Sequence, residues 1–292
     1  MRGFKSIEKT DYEYAVIRYL IDMEKMNFSY KYEYTPGQLH DIEVFIRRLV
    51  KLEPNYIIQD DSNFSESLIR KFFLDSLRFL KNENVLKFYQ EKNKLVSITN
   101  DSTLESDEGL ASIDELFSRE SKILISLPED VSLYDGSMIY AHEMGHVPEL
   151  VVPRDSYLEY QEVLPIFMEY LSALRRYGVL SSKEIFVNER ISMDIDHANI
   201  MRSKLRQMNR NSQKQRLYAR QEFADTYKYL QSTDFVLQLI EIMDKDRAKI
   251  GSEIEDIIEG KSLIETATDL SIDTDGCKKV LKYYQQYGKR RK

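Results

Sequence analysis

Glycine and proline are scarce in this sequence, which contains 10 glycines and 6 prolines among 292 residues. Both residues interrupt helices, glycine through its backbone freedom and proline through its missing N–H group. So few of them across so long a chain predict a mainly α-helical fold. Hydrophobic residues make up 42% of the chain and charged residues 31%. These fractions allow a sizeable core and exclude a disordered or collagen-like protein.

The charge and the apolar runs of the chain indicate its partners and its location. The formal net charge of -7 argues against nucleic acid as the main ligand, because proteins that bind phosphate backbones carry a basic excess. The apolar runs are far shorter than the roughly 20 residues of a membrane helix. The first residues carry charges where a signal peptide has an apolar segment, and the lone Cys277 cannot form an internal disulfide. We therefore expect a soluble, cytoplasmic protein that binds neither nucleic acid nor a membrane.

Apolar residues at three-to-four spacing predict helices along most of the chain. Ser156 and Glu159 form a capping box at one predicted helix start, Pro165 predicts a kink inside the same helix, and Gly178 ends it. The predicted helices cover residues 9–26, a run from Pro36 to a stop at Pro54, one or two helices within 65–92, and then 137–150, 156–177, 182–208, 213–244, 262–270 and 276–287.

One short strand is predicted at residues 122–127, where the sequence is apolar and Pro128 follows. Residues 95–112 contain many Asn, Asp and Ser residues, which predicts a loop. A boundary in this loop divides the chain into an N-terminal helical region over residues 1–95 and a helical domain over residues 96–292.

The pattern that points most directly to chemistry is His142-Glu143-Met144-Gly145-His146, which includes two of the four histidines. Positions i and i+4 of a helix lie one above the other on the same face, so both imidazoles can bind one tetrahedral ion. Glu143 projects beside that ion, where it can take a proton from water as a general base. This H-E-x-x-H pattern predicts a zinc site.

A catalytic zinc usually has three protein ligands, so a third ligand must follow the motif. Glu162 and Glu169 lie seven positions apart, two helical turns, among apolar neighbours. Burying carboxylates there is costly unless a cation or hydrogen bonds compensate. We assign Glu162 as the third ligand and Glu169 as the acceptor that orients a ligating imidazole. Glu169 and Glu159 are the alternatives for the third ligand.

The order of these features resembles the thimet oligopeptidase and oligoendopeptidase F family of zinc metallopeptidases. An apolar strand at 123–127 leads into the H-E-M-G-H helix, and Glu162 and Glu169 follow on the next helix. The resemblance covers about residues 95–275 and is specific over 137–171. It implies a multi-helix zinc-peptidase catalytic domain with one Zn²⁺ per chain and oligopeptide substrates. We expect the N-terminal helices to roof the cleft and the short strand at 122–127 to pair with the substrate.

A second stretch that resembles the family begins at Phe223 and includes Tyr227 and Tyr229. In the family this helix carries tyrosines that stabilise the carbonyl oxyanion, which implies that role for Tyr227 or Tyr229. Positions two apart on a helix point about 200° apart, so at most one of them faces the metal. The histidine that the family places about two turns earlier is absent from this chain. His197 could be supplied from another helix, although a solvated or hydrogen-bonded histidine is the default interpretation.

Together the pattern and the resemblance imply a zinc-dependent metallopeptidase that cleaves oligopeptides. His142, His146 and Glu162 would hold the metal, and Glu143 would activate water. The alternative is a zinc-binding interaction or regulatory protein, derived from such a peptidase, that has lost turnover. The absent histidine and the reduced chain length motivate this alternative.

Overall fold

The computed structural model describes residues 34–56, 65–102, 104, 110–114, 122–151, 162–208, 213–274 and 276–291. Contacts divide the chain into two compact units, residues 1–40 and 41–292. Only residues 34–40 of the first unit are described. The predicted helix over 9–26 and the capping box of Ser156 and Glu159 lie outside the described residues. The predicted division into a roofing region and a catalytic domain at residues 95 and 96 stays a prediction.

Helices dominate the described part of the chain, which confirms the prediction of a mainly α fold. Most of the predicted helix ends lie within a few residues of the observed ones. A 3-10 turn at Arg78–Leu80 follows the helix that ends at Leu77. The helices are α1 Pro36–Leu49, α2 Glu66–Leu77, α3 Glu83–Leu95, α4 Leu133–Val151, α5 Val163–Tyr177, α6 Val179–Met208, α7 Gln213–Met243, α8 Arg247–Glu259, α9 Leu263–Leu270 and α10 Lys278–Tyr287.

The strands form two small sheets, from β1 Leu52–Glu53, β2 Val96–Asp101, β3 Leu110–Asp114, β4 Lys122–Pro128 and β5 Lys289–Arg290. Strand β1 pairs with β5, and the other sheet has the order β2-β4-β3. The predicted strand at 122–127 is confirmed as β4. The prediction of a loop throughout 95–112 is wrong, because residues 96–101 and 110–114 pair with β4. That pairing is non-local, and the polar composition of this stretch conceals it.

Strand β4 is the central strand of its sheet, parallel to β2 on one side and antiparallel to β3 on the other. Both of its hydrogen-bonding edges are therefore occupied by the chain itself. The expectation that β4 pairs with a substrate peptide is wrong for this reason. A strand that joins the sheet has to use an outer edge of β2 or β3.

Helix α5 lies at the centre of the described fold, and it packs against α2, α4, α6 and α7. Every residue from Val163 to Leu174 is buried, Glu169 among them. A helix that is buried on all sides has no solvent face for a charged side chain. The Glu169 carboxylate must therefore find partners inside the protein.

The start of α5 also explains how Pro165 is accommodated. The helix begins at Val163 after Glu162, so Pro165 lies in the first turn, where a backbone N–H has no partner within the helix. The prediction that Pro165 kinks the middle of a helix is wrong. Across the described ranges, no helix is both long enough and apolar enough to span a membrane.

Candidate metal centre

His142 and His146 lie on one face of helix α4, as the motif predicts. Their ring centroids are 5.1 Å apart, with 72° between the ring planes. Each side chain is about one-fifth exposed, so both imidazoles are partly accessible to solvent. The i, i+4 spacing on α4 places two ligand nitrogens side by side.

Glu162 approaches both imidazoles from the start of α5. Its Oε2 lies 3.3 Å from Nε2 of His142 and 3.7 Å from Nε2 of His146. The three residues offer ligand atoms that all lie within 4.8 Å of one another. A tetrahedral zinc with bonds of about 2.1 Å holds its ligands roughly 3.4 Å apart. The two distances from Glu162 are close to that value, so the three residues could hold one metal ion.

The Glu162 carboxylate also provides a test of whether a cation fits. Its Oε2 is buried and has no hydrogen-bond partner among the described residues. A buried acceptor without a partner destabilises a fold by about 1–3 kcal/mol, and more when it is charged. A divalent cation bound between Oε2 and the two imidazoles removes that cost. The donor set of two nitrogens and one carboxylate oxygen is one that zinc accepts.

A second carboxylate fixes the orientation of the first imidazole. Nδ1 of His142 lies 2.6 Å from Oε1 of Glu169, one of the residues buried in α5. Burial alone would lower the pKa of His142, but the Glu162 and Glu169 carboxylates outweigh it and raise the pKa to about 10. The same imidazoles outweigh burial at Glu162 and lower the pKa of its carboxyl. The two carboxylates thus favour a positive charge at His142.

Gly145 allows helices α4 and α5 to come close enough for Glu162 to face the two imidazoles. A Cβ added at Gly145 would lie 2.4 Å from Cα and 2.6 Å from N of Pro165. Any larger residue would push the start of α5 away from α4. Because Glu162 is three positions before Pro165, the glycine of the motif sets the distance between the third ligand and the imidazoles.

Glu143 and Tyr229 complete the surroundings of the cluster. Glu143 is buried, with 6% of its surface exposed. Burial raises the pKa of Tyr229, and the carboxylates of Glu162 and Glu143 raise it further. The Tyr229 hydroxyl therefore lies within the electrostatic reach of both acids. The structure brings together His142, Glu143 and His146 of the motif with Glu162 and Tyr229.

The other predicted tyrosine, Tyr227, contacts residues outside the cluster. Tyr227 stacks against Phe223, with centroids 6.3 Å apart, and its hydroxyl interacts with the buried thiol of Cys277. This difference follows from the 200° between side chains two positions apart on a helix. Of the two candidates, Tyr229 is the one whose contacts lead to the cluster.

Three further residues around the centre lie on α6 at positions i, i+4 and i+7. They are Arg190, Asp194 and His197. Arg190 contacts Glu169, Asp194 contacts Arg190, and the ring of His197 stacks on Tyr229. Sequence reasoning missed Arg190 and Asp194 and gave His197 only a default role. In the sequence, only the spacing of these three residues indicated that they share one face of a helix.

No protein-family model, curated protein or solved structure matches the chain. The resemblance to thimet oligopeptidases and oligoendopeptidases F therefore rests on the motif residues and on their order along the chain.

Proposed function

We propose that this protein is a zinc-dependent metallopeptidase that hydrolyses peptide bonds in oligopeptides. The observation that carries the proposal is the buried Oε2 of Glu162, which faces the Nε2 atoms of His142 and His146 at 3.3 and 3.7 Å. Glu143 is a further buried carboxylate, and it is not one of the three proposed ligands. Three ligands with an adjacent acid are what metal-assisted hydrolysis of an amide requires.

The bound zinc would act as a Lewis acid that polarises the scissile carbonyl and lowers the pKa of water. The Glu143 carboxylate would take a proton from the attacking water and pass it to the leaving amine. Glu169 would hold Nδ1 of His142 and so keep its Nε2 directed at the ligand cluster. Each of these tasks falls to a group whose position in the site is described above.

Tyr229 would stabilise the negative charge that develops on the carbonyl oxygen. Burial and the Glu162 carboxylate, which accepts a hydrogen bond from the Tyr229 hydroxyl, raise the pKa of that hydroxyl. The group therefore keeps its proton and would donate a hydrogen bond to the oxyanion in place of Glu162. A donor aimed at a developing oxyanion in a buried site contributes more than the same donor in water.

Oligopeptides as substrates follow from the family resemblance. An extended peptide could gain backbone hydrogen bonds at an outer edge of β2 or β3, which would provide affinity without a strong demand for one side chain. Helix α4 packs against β3 and β4, so this sheet adjoins the helix that carries the motif.

The proposal is tested by metal content and peptide cleavage on the same preparations. Elemental mass spectrometry should find about one zinc per wild-type chain and much less in Glu162→Ala. Wild type should cleave a quenched fluorescent peptide library, whereas Glu143→Gln should keep its zinc and lose cleavage by about 10²–10⁴-fold. His40→Ala, which removes an exposed histidine on α1, serves as the matched control and should behave as wild type.

Two results would contradict the proposal in different ways. A wild-type chain that takes up no zinc, even after incubation with the metal, would overturn the metal centre itself. A chain that binds zinc but cleaves nothing would favour the alternative of a non-catalytic, zinc-binding interaction or regulatory protein.

A further inference from the structure

A buried ion pair on helix α6 lies behind the proposed active site. Arg190 is 2% exposed and Asp194 is fully buried, and Nη2 of Arg190 lies 3.2 Å from Oδ1 of Asp194. A second oxygen of Asp194 accepts a hydrogen bond of 2.5 Å from the buried Tyr284 hydroxyl. A buried ion pair held from several sides has little freedom to move. It can therefore serve as a fixed point for side chains that contact it.

One branch of this network leads to the metal ligands. Nη1 of Arg190 lies 3.5 Å from Oε2 of Glu169. The other oxygen of Glu169 lies 2.6 Å from Nδ1 of His142. The guanidinium and the imidazole thus share one carboxylate, which fixes the position of that carboxylate from both sides.

The other branch leads to the proposed oxyanion donor. Nδ1 of His197 lies 3.4 Å from Oδ1 of Asp194. The His197 ring stacks on the ring of Tyr229, with centroids 4.6 Å apart and 25° between the planes. A tyrosine ring that is stacked on a neighbour held by a buried carboxylate has a restricted orientation. The direction of its hydroxyl is restricted as well.

We infer that His197 is a positioning residue that aims the Tyr229 hydroxyl at the oxyanion of the substrate, with Asp194 holding the imidazole in place. This inference rests on the proposed function and deepens it. His197 acts through Tyr229 and is not itself in contact with the reacting atoms. Its contribution therefore exists only while Tyr229 has its hydroxyl.

The inference is tested by the binding of a phosphinic oligopeptide, whose tetrahedral, negatively charged group mimics the oxyanion. Affinity is measured by titration calorimetry on zinc-loaded wild type, His197→Ala, Tyr229→Phe and the double variant. We expect Tyr229→Phe to weaken binding by about 100-fold and His197→Ala by about tenfold. The double variant should bind no more weakly than Tyr229→Phe alone, because without the hydroxyl the orientation of the ring no longer matters.

Further variants separate positioning from general structural support. His197→Phe keeps a ring to stack on Tyr229 but loses the contact with Asp194, so it should recover only part of the affinity that His197→Ala loses. Asp196→Ala, an exposed neighbour on the same helix, should bind as wild type. Zinc content should be the same in wild type and in the His197 and Asp196 variants, since neither side chain is a proposed ligand. It is measured in Tyr229→Phe as well, because the Tyr229 hydroxyl interacts with Glu162.

Independent effects that multiply in the double variant would overturn the inference, as would an unchanged affinity of His197→Ala. Both results leave the proposed function in place, because wild type still binds zinc and the phosphinic peptide. Wild type that binds zinc but not the peptide, or neither, would overturn the proposed function and this inference with it.

Discussion

The two nitrogens of His142 face two carboxylates of the same neighbouring segment, and Nδ1 lies 2.6 Å from Glu169 while Nε2 lies 3.3 Å from Glu162. The raised pKa of His142 means that both of its nitrogens carry protons while no metal is bound. A metal would replace the proton on Nε2, while Glu169 would still accept a hydrogen bond from Nδ1. Glu162 and Glu169 are seven residues apart, about two helical turns, and the imidazole of His142 lies between their carboxylates. This relationship makes the role of Glu169 open to a direct test.

Glu169→Gln should weaken zinc binding by about 10–100-fold. The amide keeps the shape of the side chain but accepts the hydrogen bond from Nδ1 more weakly than a carboxylate does. Competition with a chromophoric chelator measures the change. Glu184→Gln, an exposed position on α6, is the control. An affinity equal to that of wild type would mean that Glu169 does not orient His142.

Gly145→Ala should lower both the stability of the fold and its zinc affinity. The new Cβ would lie 2.4 Å from Cα of Pro165, so α5 has to shift and carry Glu162 away from the imidazoles. Overpacking of this kind destabilises a protein by about 1–3 kcal/mol. Urea unfolding and metal titration measure the two effects. Gly37→Ala is the control, because a Cβ there would meet only Thr35, at 3.9 Å. Normal zinc binding by Gly145→Ala would show that this close approach does not set the site geometry.

Tyr229→Phe and Tyr227→Phe should affect different properties. Loss of the Tyr229 hydroxyl should lower kcat for peptide cleavage by about 10²–10³-fold, as expected for an oxyanion donor. Loss of the Tyr227 hydroxyl, which interacts with Cys277, should leave kcat within about twofold and change the stability instead, by about 1 kcal/mol. Steady-state kinetics and urea unfolding on both variants check this. A larger kcat effect at Tyr227 would reverse the assignment.

Glu189 should make the protein less stable as the pH rises. Burial raises the pKa of Glu189 to about 7, although the hydrogen bond from the Tyr134 hydroxyl opposes this shift. The same group titrates near 4.5 when unfolded. Because the folded protein keeps the proton up to a higher pH, the free energy of unfolding falls between about pH 4.5 and 7 and stays reduced above 7.

Glu189→Gln removes this dependence. We expect the variant to be more stable than wild type by about 3 kcal/mol at pH 8 and by only about 1 kcal/mol at pH 5. Urea unfolding at the two pH values gives both differences, and Glu184→Gln should show neither. A gain in stability that is equal at both pH values would contradict the proposed titration.

The parts of the site that sequence reasoning found are those that depend on local spacing. His142 and His146 are one helical turn apart, and Glu162 and Glu169 are two turns apart, so helix periodicity alone groups them. Pairing with distant residues is not encoded in such spacing. Asp194 lies 90 positions from Tyr284, and nothing near either residue in the sequence connects them.

Strands β2 and β3 were missed for the same reason. Residues 96–101 contain polar residues typical of a loop, and they become a strand through parallel pairing with β4 more than 20 positions later. Tertiary context outweighs local propensity in such a segment. The capping box of Ser156 and Glu159, which lies outside the described residues, predicted a helix start at Ser156, whereas α5 begins at Val163.

The pairing of β1 with β5 has a consequence for the order of folding. The Asn55 side chain donates to the Tyr287 carbonyl, a contact that joins positions 232 apart in the chain. Closing so long a loop has a high entropic cost unless the intervening chain is already compact. The helices from α4 to α7, with the proposed ligands, can assemble through much shorter loops. The two-stranded ribbon therefore closes late, and refolding should restore zinc binding before it restores protection of the β1 and β5 amides from hydrogen exchange.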